Sequence, residues 1–179
     1  MPQPISQRGF NLFELSISLA IAAVLLTLAL PSLTEFRARQ QLRAARTELF
    51  SSLQLARFEA ITHTKHAVLC PSSDGQSCAN GTQWEAGWIV FFDLDKDRER
   101  STDERLLWVG TIDAPQLRIS TSRWRTRIRY SPLGTAPGTN LSIKFCHQSL
   151  PNTSSKVIVS NAGRARILVD AGPSGLCSA

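Results

Sequence analysis

Charged residues are scarce in this sequence, and so are the residues that interrupt regular structure. Only 19% of the 179 residues are charged, whereas 42% are hydrophobic. A disordered chain needs the opposite balance, so the composition predicts a folded protein. The 10 glycines and 9 prolines are too few for a fibrous or low-complexity chain. The length is sufficient for one domain of ordinary size.

The sequence also lacks the short patterns that accompany catalysis or metal binding. Its four cysteines form no Cys-x-x-Cys pair, which argues against a zinc site or a thioredoxin-like redox centre. No serine lies in a nucleophile-elbow pattern, and no glycine-rich phosphate loop is present. We therefore expect neither an enzyme nor a bound cofactor.

Acidic residues are nearly absent from the last third of the chain. Residues 118–179 contain 9 basic residues and one acidic residue, whereas residues 63–117 contain 5 basic and 9 acidic residues. The formal net charge of the whole chain is +6, and its pI is near 9.7. This asymmetry favours an acidic partner for the C-terminal third, either nucleic acid or an anionic membrane.

A long apolar run occupies the N-terminus, from Phe10 to Leu30. Its 21 residues carry one charge, that of Glu14. At about 1.5 Å per residue, such a helix crosses a hydrocarbon core of about 30 Å. A secretory signal peptide has a shorter apolar region of roughly 7–15 residues. A plain membrane anchor leaves Glu14 unexplained, because a carboxylate in lipid costs about 2.5–3.5 kcal/mol even on a lenient scale.

The residues around Glu14 resemble the prepilin motif of type IV pilins and type II secretion pseudopilins. The matching segment is Arg8-Gly9-Phe10-Asn11-Leu12-Phe13-Glu14. The resemblance implies that residues 1–9 are a leader, which a prepilin peptidase removes after Gly9, and that Phe10 is then N-methylated. It also implies that Glu14 meets the N-terminal amine of a neighbouring subunit during assembly. A buried carboxylate is tolerable when it is paired with a cation.

The same resemblance implies where the protein acts. Residues 10–30 would form a helix that crosses the bacterial inner membrane once and later lies in the filament core. The rest of the chain would form a periplasmic head, which later joins a pilus or pseudopilus. Other major and minor pilins or pseudopilins are the implied protein partners.

A helical pattern continues after Pro31. Apolar residues recur at spacings of three and four, which predicts one apolar stripe along an amphipathic helix over residues 31–62. The stripe comprises Leu42, Ala45, Leu49, Leu53, Ala56 and Ala60. We expect it to pack under a globular head.

Short apolar runs bounded by turn residues replace the helical period in residues 63–179. They predict strands at 67–70, 87–92, 106–109, 125–130, 141–146, 156–160 and 166–169. The expected fold class is α+β, in which a long N-terminal pilin-type helix packs against one small antiparallel sheet.

The order of these elements resembles the GspH/FimT pseudopilin family over most of the chain. Three segments carry the resemblance: Ala86-Gly87-Trp88-Ile89-Val90-Phe91-Phe92-Asp93, Glu104-Arg105-Leu106-Leu107 and Tyr130-Ser131-Pro132-Leu133-Gly134-Thr135. The implied head faces an oxidising compartment, where disulfides persist. The four cysteines allow three pairings. We favour Cys70 with Cys78, which closes a short polar loop, and Cys146 with Cys177, which holds the C-terminal tail to a strand.

An acidic cluster lies between two of the predicted strands. Four carboxylates fall at the first, third, fifth and twelfth places of a calcium loop: Asp93, Asp95, Asp97 and Glu104. Arg98 occupies the sixth place, where such a loop needs glycine. A solvated turn is the simpler interpretation, so we expect no metal site.

A basic run with strict alternation reads Ser122-Arg123-Trp124-Arg125-Thr126-Arg127-Ile128-Arg129-Tyr130. In a strand, its four arginines would share one face. We call Arg123, Arg125, Arg127 and Arg129 the arginine ridge. Because like charges repel, stability alone does not favour such a ridge. The pattern leaves two interpretations open, a solvated outer face and an anion-binding surface.

A second basic element follows a glycine turn. Gly163 suits a hairpin turn, and Arg164 and Arg166 would emerge from it on one side. The segment resembles the Gly-Arg-x-Arg motif near the C-terminus of FimT-type minor pilins. That resemblance implies binding of double-stranded DNA, without sequence specificity, for uptake in natural transformation. Lys156 and the arginine ridge would extend the site.

One structural alternative stays open. A minor pseudopilin of a type II secretion system, or of a pilus-assembly tip, would have the same elements and no nucleic-acid partner.

Overall fold

A computed structural model describes residues 11–122 and 124–169, with the side chains of all of them except residues 28–31. Within these ranges the chain forms a helix followed by eight strands. The elements are α1 Leu12–Thr62, β1 His66–Pro71, β2 Trp88–Asp93, β3 Leu106–Gly110, β4 Leu117–Ser120, β5 Ile128–Tyr130, β6 Leu141–His147, β7 Ser154–Val159 and β8 Ala165–Val169. The chain divides into two compact units, Met1–Arg37 and Ala38–Ala179. We call the second unit the head.

The first unit contains the start of α1, whose surface is apolar. All of the side chains described from residue 11 to residue 27 are exposed. An 18-residue window of α1 has a mean hydropathy of 2.2, so the helix is long and apolar enough to cross a membrane. The hydroxyls of Ser16, Ser18 and Thr27 donate to backbone carbonyls three or four residues earlier, so these polar groups are satisfied within the helix.

Within the head, the helix buries the stripe that its spacing predicts. All six stripe residues are at most 5% exposed. Three of the six are alanines, and they share one core cluster with large side chains, among them Trp84, Trp88 and Phe145. Small residues facing large ones allow close packing without cavities. Inside this core, the indole nitrogen of Trp88 donates to the hydroxyl of Ser52 at 2.8 Å, so neither buried polar group is left unpaired.

The strands form two antiparallel sheets, not the single sheet expected from the sequence. Sheet A has the order β3-β2-β1-β5, and sheet B has the order β4-β6-β7-β8. The expected α+β architecture, one long helix packed on antiparallel strands, is confirmed. The sequence did not predict the division into two sheets, because an alternating pattern indicates a strand but not which other strand it pairs with.

Both faces of β1 and β2 are covered. Leu69 and Val90 belong to the core against the helix, whereas Val68 and Phe91 belong to a second small cluster. Strands buried on both faces have continuous apolar sequences, which explains why these two were predictable. The second cluster lies under the loop that the Cys70–Cys78 disulfide closes.

A buried histidine links the helix to sheet B. The Nε2 atom of His147 lies 3.0 Å from Oε1 of Gln41, and its Nδ1 atom accepts from the backbone N–H of Ser149 at 3.2 Å. Protonation at Nδ1 would break the second bond. Burial lowers the pKa of His147 below its ordinary value of 6.5.

We expect acid to destabilise the head through His147. Because its pKa is lower in the folded state, the unfolded state binds the proton first as the pH falls. The contribution of neutral His147 to the free energy of unfolding is therefore fully present above about pH 6.5. It is lost as the pH falls towards the lowered pKa. Urea unfolding of the head at several pH values between about 7.5 and about 5 measures this loss. The His147→Gln variant should lose less free energy of unfolding over that range; equal losses in the two proteins would contradict the assignment.

Candidate nucleic-acid interface

The turn between β7 and β8 carries the predicted glycine-arginine element. Three residues, 161–163, connect Ser160 to Arg164, and Gly163 has a φ of 75°. The N–H of Gly163 donates to the carbonyl of Ser160 at 2.8 Å, and the N–H of Ser160 donates to that of Arg164 at 3.1 Å. A three-residue hairpin loop with glycine in the left-handed conformation has this pattern. The sequence therefore builds a tight turn, and Arg164 lies directly before β8.

The loop between β5 and β6, residues 131–140, fixes this turn in place. Asn161 accepts from both ends of that loop: its carbonyl binds the N–H of Ala136 at 2.9 Å, and its Oδ1 atom binds the N–H of Asn140 at 3.1 Å. A Cβ atom on Gly163 would overlap the carbonyl oxygen of Gly134. That carbonyl also accepts from Nε of Arg57 on α1, at 3.0 Å. The turn is thus braced by backbone contacts and by the side chain of Asn161.

Arg164 and Arg166 project from this braced turn into solvent. Both side chains are exposed, and no hydrogen bond or ion pair engages either guanidinium among the described residues. Together with Asn140, Ile158 and Ser160 they line a depression of about 480 Å³. Two unneutralised guanidinium groups beside a depression can bind an anion such as a phosphate.

The outer face of sheet B extends this positive surface. Residues on the inner face, such as Ile143 and Val157, are buried in the core, so Lys144 and Lys156 point outward. These two lysines are direct partners across β6 and β7. Like charges directly opposite each other destabilise a sheet, so packing does not explain them.

The surface includes residues that the sequence reasoning missed. Arg118 also points outward, between the buried Leu117 and Ile119 of β4. We call Arg118, Lys144, Lys156, Arg164 and Arg166 the basic face. The four strands of sheet B contain no acidic residue. Lys144 alternates with buried neighbours in the sequence, and this pattern could have shown that its side chain points to solvent. Arg118 was missed because β4, with four residues, is too short to recognise as a strand.

The arginine ridge differs from its prediction. The predicted strand 125–130 is reduced to Ile128–Tyr130, because only these residues pair with β1. Arg127 forms an ion pair with Glu99, and Nη1 of Arg129 lies 3.6 Å from Oδ2 of Asp93 and 2.8 Å from the carbonyl of Lys96. Arg123 lies outside the described residues. Two ridge arginines therefore neutralise the acidic loop after β2 and are not free to bind an anion.

Arg125, another ridge residue, contacts the loop that holds the glycine turn. Its Nη1 atom donates to the carbonyl of Asn140 at 3.2 Å. Asn140 in turn binds Asn161 and lines the depression beside Arg164. The two basic elements of the sequence are therefore joined at Asn140, through Arg125 and not through the whole ridge.

The acidic loop itself is organised by protein groups. The carboxylates of Asp93, Asp95 and Asp97 lie within 4.8 Å of one another. Glu104 accepts from the N–H groups of Leu94 and Ser101, at 2.6 and 3.1 Å, and so closes the loop onto itself. With Arg127 and Arg129 beside it, the cluster is part of an internal charge network.

Two of the four cysteines close a polar loop. Cys70 and Cys78 form a disulfide, with Cα atoms 5.6 Å apart. Within the loop, hydrogen bonds from Ser77, Gln76 and Ser72 hold the pKa of Asp74 well below its ordinary range. Cys146 is also disulfide-bonded, and its expected partner Cys177 lies outside the described residues. The processing residues Gly9 and Phe10 lie outside them as well.

Comparisons with known proteins support a pilin-type fold. The Pseudomonas aeruginosa type IV minor pilin FimU has a TM-score of 0.59 at 19% identity, over 79% of this chain and 98% of that one. A second crystal form of FimU gives 0.58 at 19% identity, over 75% and 98%. The Vibrio cholerae minor pseudopilin EpsH, of the Type 2 Secretion System, gives 0.49 at 12% identity, over 72% and 95%. No curated protein sequence matches the chain.

Sequence-family comparison gives the more specific result. The family described as Type II transport protein GspH matches residues 45–163, which include the core of the helix, both sheets up to β7 and the turn at Gly163. The matched region is more than half of the chain. This protein belongs to the GspH family.

Proposed function

We propose that this chain is a minor type IV pilin of the FimT type that binds extracellular double-stranded DNA for uptake in natural transformation. The observation that carries the proposal is the basic face of sheet B, where five outward cations occur without an acidic residue on any of its strands. Arg164 and Arg166 are the primary contacts, and Gly163 sets their position. Lys144, Lys156 and Arg118 extend the surface.

The chemistry of this face suits phosphates and not bases. Lysine and arginine side chains on a sheet neutralise backbone phosphates and release counterions, which gives affinity without sequence specificity. Arg127 and Arg129 do not belong to the site, because both are paired with carboxylates. Arg125 adds one cation at the edge.

We also propose how the chain is processed, anchored and assembled. A prepilin peptidase cleaves after Gly9, Phe10 becomes the methylated N-terminus, and Glu14 pairs with the amine of a neighbouring pilin. The first part of α1 anchors the chain in the bacterial inner membrane, with the head in the periplasm, until it joins other pilins in a pilus or pseudopilus. Cys177 pairs with Cys146. The protein has no catalytic role.

Titration of DNA onto the full-length chain in nonionic detergent tests the proposed binding. Two 30-base-pair duplexes of unrelated sequence should bind with equal affinity. If two to four cations each contact one phosphate, the logarithm of affinity should fall against the logarithm of salt with a slope of about −2 to −4. Absence of binding to either duplex at low salt would leave the structural alternative, a minor pseudopilin without a nucleic-acid role.

A further inference from the structure

One large aromatic side chain in the head is almost fully exposed. Trp124 is 89% exposed, whereas Trp84 and Trp88 are fully buried and Trp108 is 44% exposed. It lies between β4 and β5, next to Arg125. An indole combines a large apolar surface with one polar N–H group, which is why tryptophan is enriched at interfaces.

The surroundings of Trp124 are cationic. It lines a depression of about 250 Å³ together with Arg125, Thr126, Arg127, Arg98, Asp97 and Gly138. Because Arg127 is paired with Glu99, Arg98 and Arg125 supply the cations of this depression, and Asp97 supplies one carboxylate. An aromatic plane beside arginines is the arrangement that proteins use to hold a single strand, because the cations follow the backbone and the ring stacks on a base.

This depression adjoins the basic face. Gly138 belongs to the depression at Trp124, and Asn140 belongs to the one at Arg164 and Arg166. Two residues of extended chain span at most about 7 Å. The hydrogen bond from Arg125 to the carbonyl of Asn140, at 3.2 Å, joins the two depressions directly. A strand held by the basic face can therefore reach Trp124.

We propose that Trp124 and Arg125 form a stacking site for an unpaired nucleobase, so that the surface also binds single-stranded DNA and open duplex ends. The inference rests on the proposed function, because the basic face supplies the phosphate contacts. Bases inside a duplex are stacked on one another and offer no free face to an indole. Stacking is tolerant of sequence, since every base has a π-face.

Three probes on the full-length chain in nonionic detergent separate stacking from charge. They are a 12-nucleotide oligothymidylate, an abasic strand with the same number of phosphates, and a hairpin duplex whose two ends are both closed by linkers without bases. The electrostatic attraction is the same for the two single strands, so any preference for the oligothymidylate measures the bases. We expect the unaltered protein to bind it about tenfold more tightly than the abasic strand, which corresponds to one stacked base.

Variants assign that preference to the indole. Trp124→Ala should remove the tenfold preference and leave the affinities for the abasic strand and the hairpin unchanged, whereas Trp124→Phe should retain most of it. Leu133→Ala is the matched control, because Leu133 is 84% exposed and apolar but has no ring to stack. It should leave all three affinities unchanged.

Two results would overturn the stacking site. One is equal binding of the oligothymidylate and the abasic strand by the unaltered protein, a comparison that needs no variant. The other is retention of the preference in Trp124→Ala. Neither result bears on the basic face, which is judged separately by whether the hairpin duplex binds and whether that binding depends on Arg164 and Arg166.

Discussion

Replacing both Arg164 and Arg166 with glutamine should weaken binding of duplex DNA about 30-fold at about 0.15 M salt and about 200-fold at about 0.05 M. Each arginine that contacts one phosphate contributes about 0.9 to the slope of log affinity against log salt, so the slope should flatten by about 1.8. The loss should be the same for unrelated sequences, since phosphates carry no sequence information. Both side chains are exposed, so the fold should be preserved.

A second double variant separates local contacts from net charge. Arg43→Gln with Arg105→Gln removes the same two charges from exposed positions on α1 and before β3, neither of which belongs to sheet B. Exposed charges farther apart than a Debye length, about 8 Å at about 0.15 M salt, are largely screened. This variant should therefore lose little affinity. If both double variants lose affinity equally, the attraction is a property of overall charge, and Arg164 and Arg166 are not a site.

The helix and the central strands were predictable because burial imposes a period on the sequence. A stripe at spacings of three and four can be buried only by a helix, and the six residues from Leu42 to Ala60 have that spacing. The apolar runs of β1 and β2 are continuous because both of their faces are covered. In both cases burial requires a pattern of apolar residues within a short segment, and that pattern can be recognised in the sequence.

The composition of the site was only partly predictable, because charge pairing is a property of tertiary structure. The sequence made both the arginine ridge and the pair Arg164 and Arg166 candidates for the site. The fold places the acidic loop across from Arg127 and Arg129, and it places no carboxylate on the strands of sheet B. The position of Lys144 opposite Lys156 could not be predicted either, since it depends on the register of β6 and β7.

Position 163 requires glycine for two reasons. One is the backbone conformation of the turn, and the other is the contact with a neighbouring loop. A positive φ was expected from the hairpin turn, and it is observed at 75°. The contact with Gly134 could not be anticipated, because it depends on how the two loops pack. Gly134 cannot easily withdraw, since its carbonyl is held by Nε of Arg57 at 3.0 Å. A side chain at position 163 would therefore meet a backbone that is fixed from the other side.

Gly163→Ala should lower the free energy of unfolding of the head by about 2–4 kcal/mol, of which about 1 kcal/mol is the cost of a positive φ and the remainder is overpacking against Gly134. For a domain of this size the melting temperature should fall by roughly 6–15 °C. Gly138→Ala is the matched control, because Gly138 has a φ of 73° and nothing within 4 Å of the added Cβ atom. It should lose only the backbone contribution, about 1 kcal/mol.

The difference between these two variants isolates the close approach of the turn to the loop at Gly134. Thermal unfolding followed by circular dichroism measures it, and DNA titration of the folded proteins measures its consequence for the site. If the contact with Gly134 positions Arg164, the Gly163→Ala variant should also bind duplex DNA more weakly below its melting temperature, while Gly138→Ala should not. Equal stability of the two variants would show that the loops can separate, and that the arginines do not owe their position to this contact.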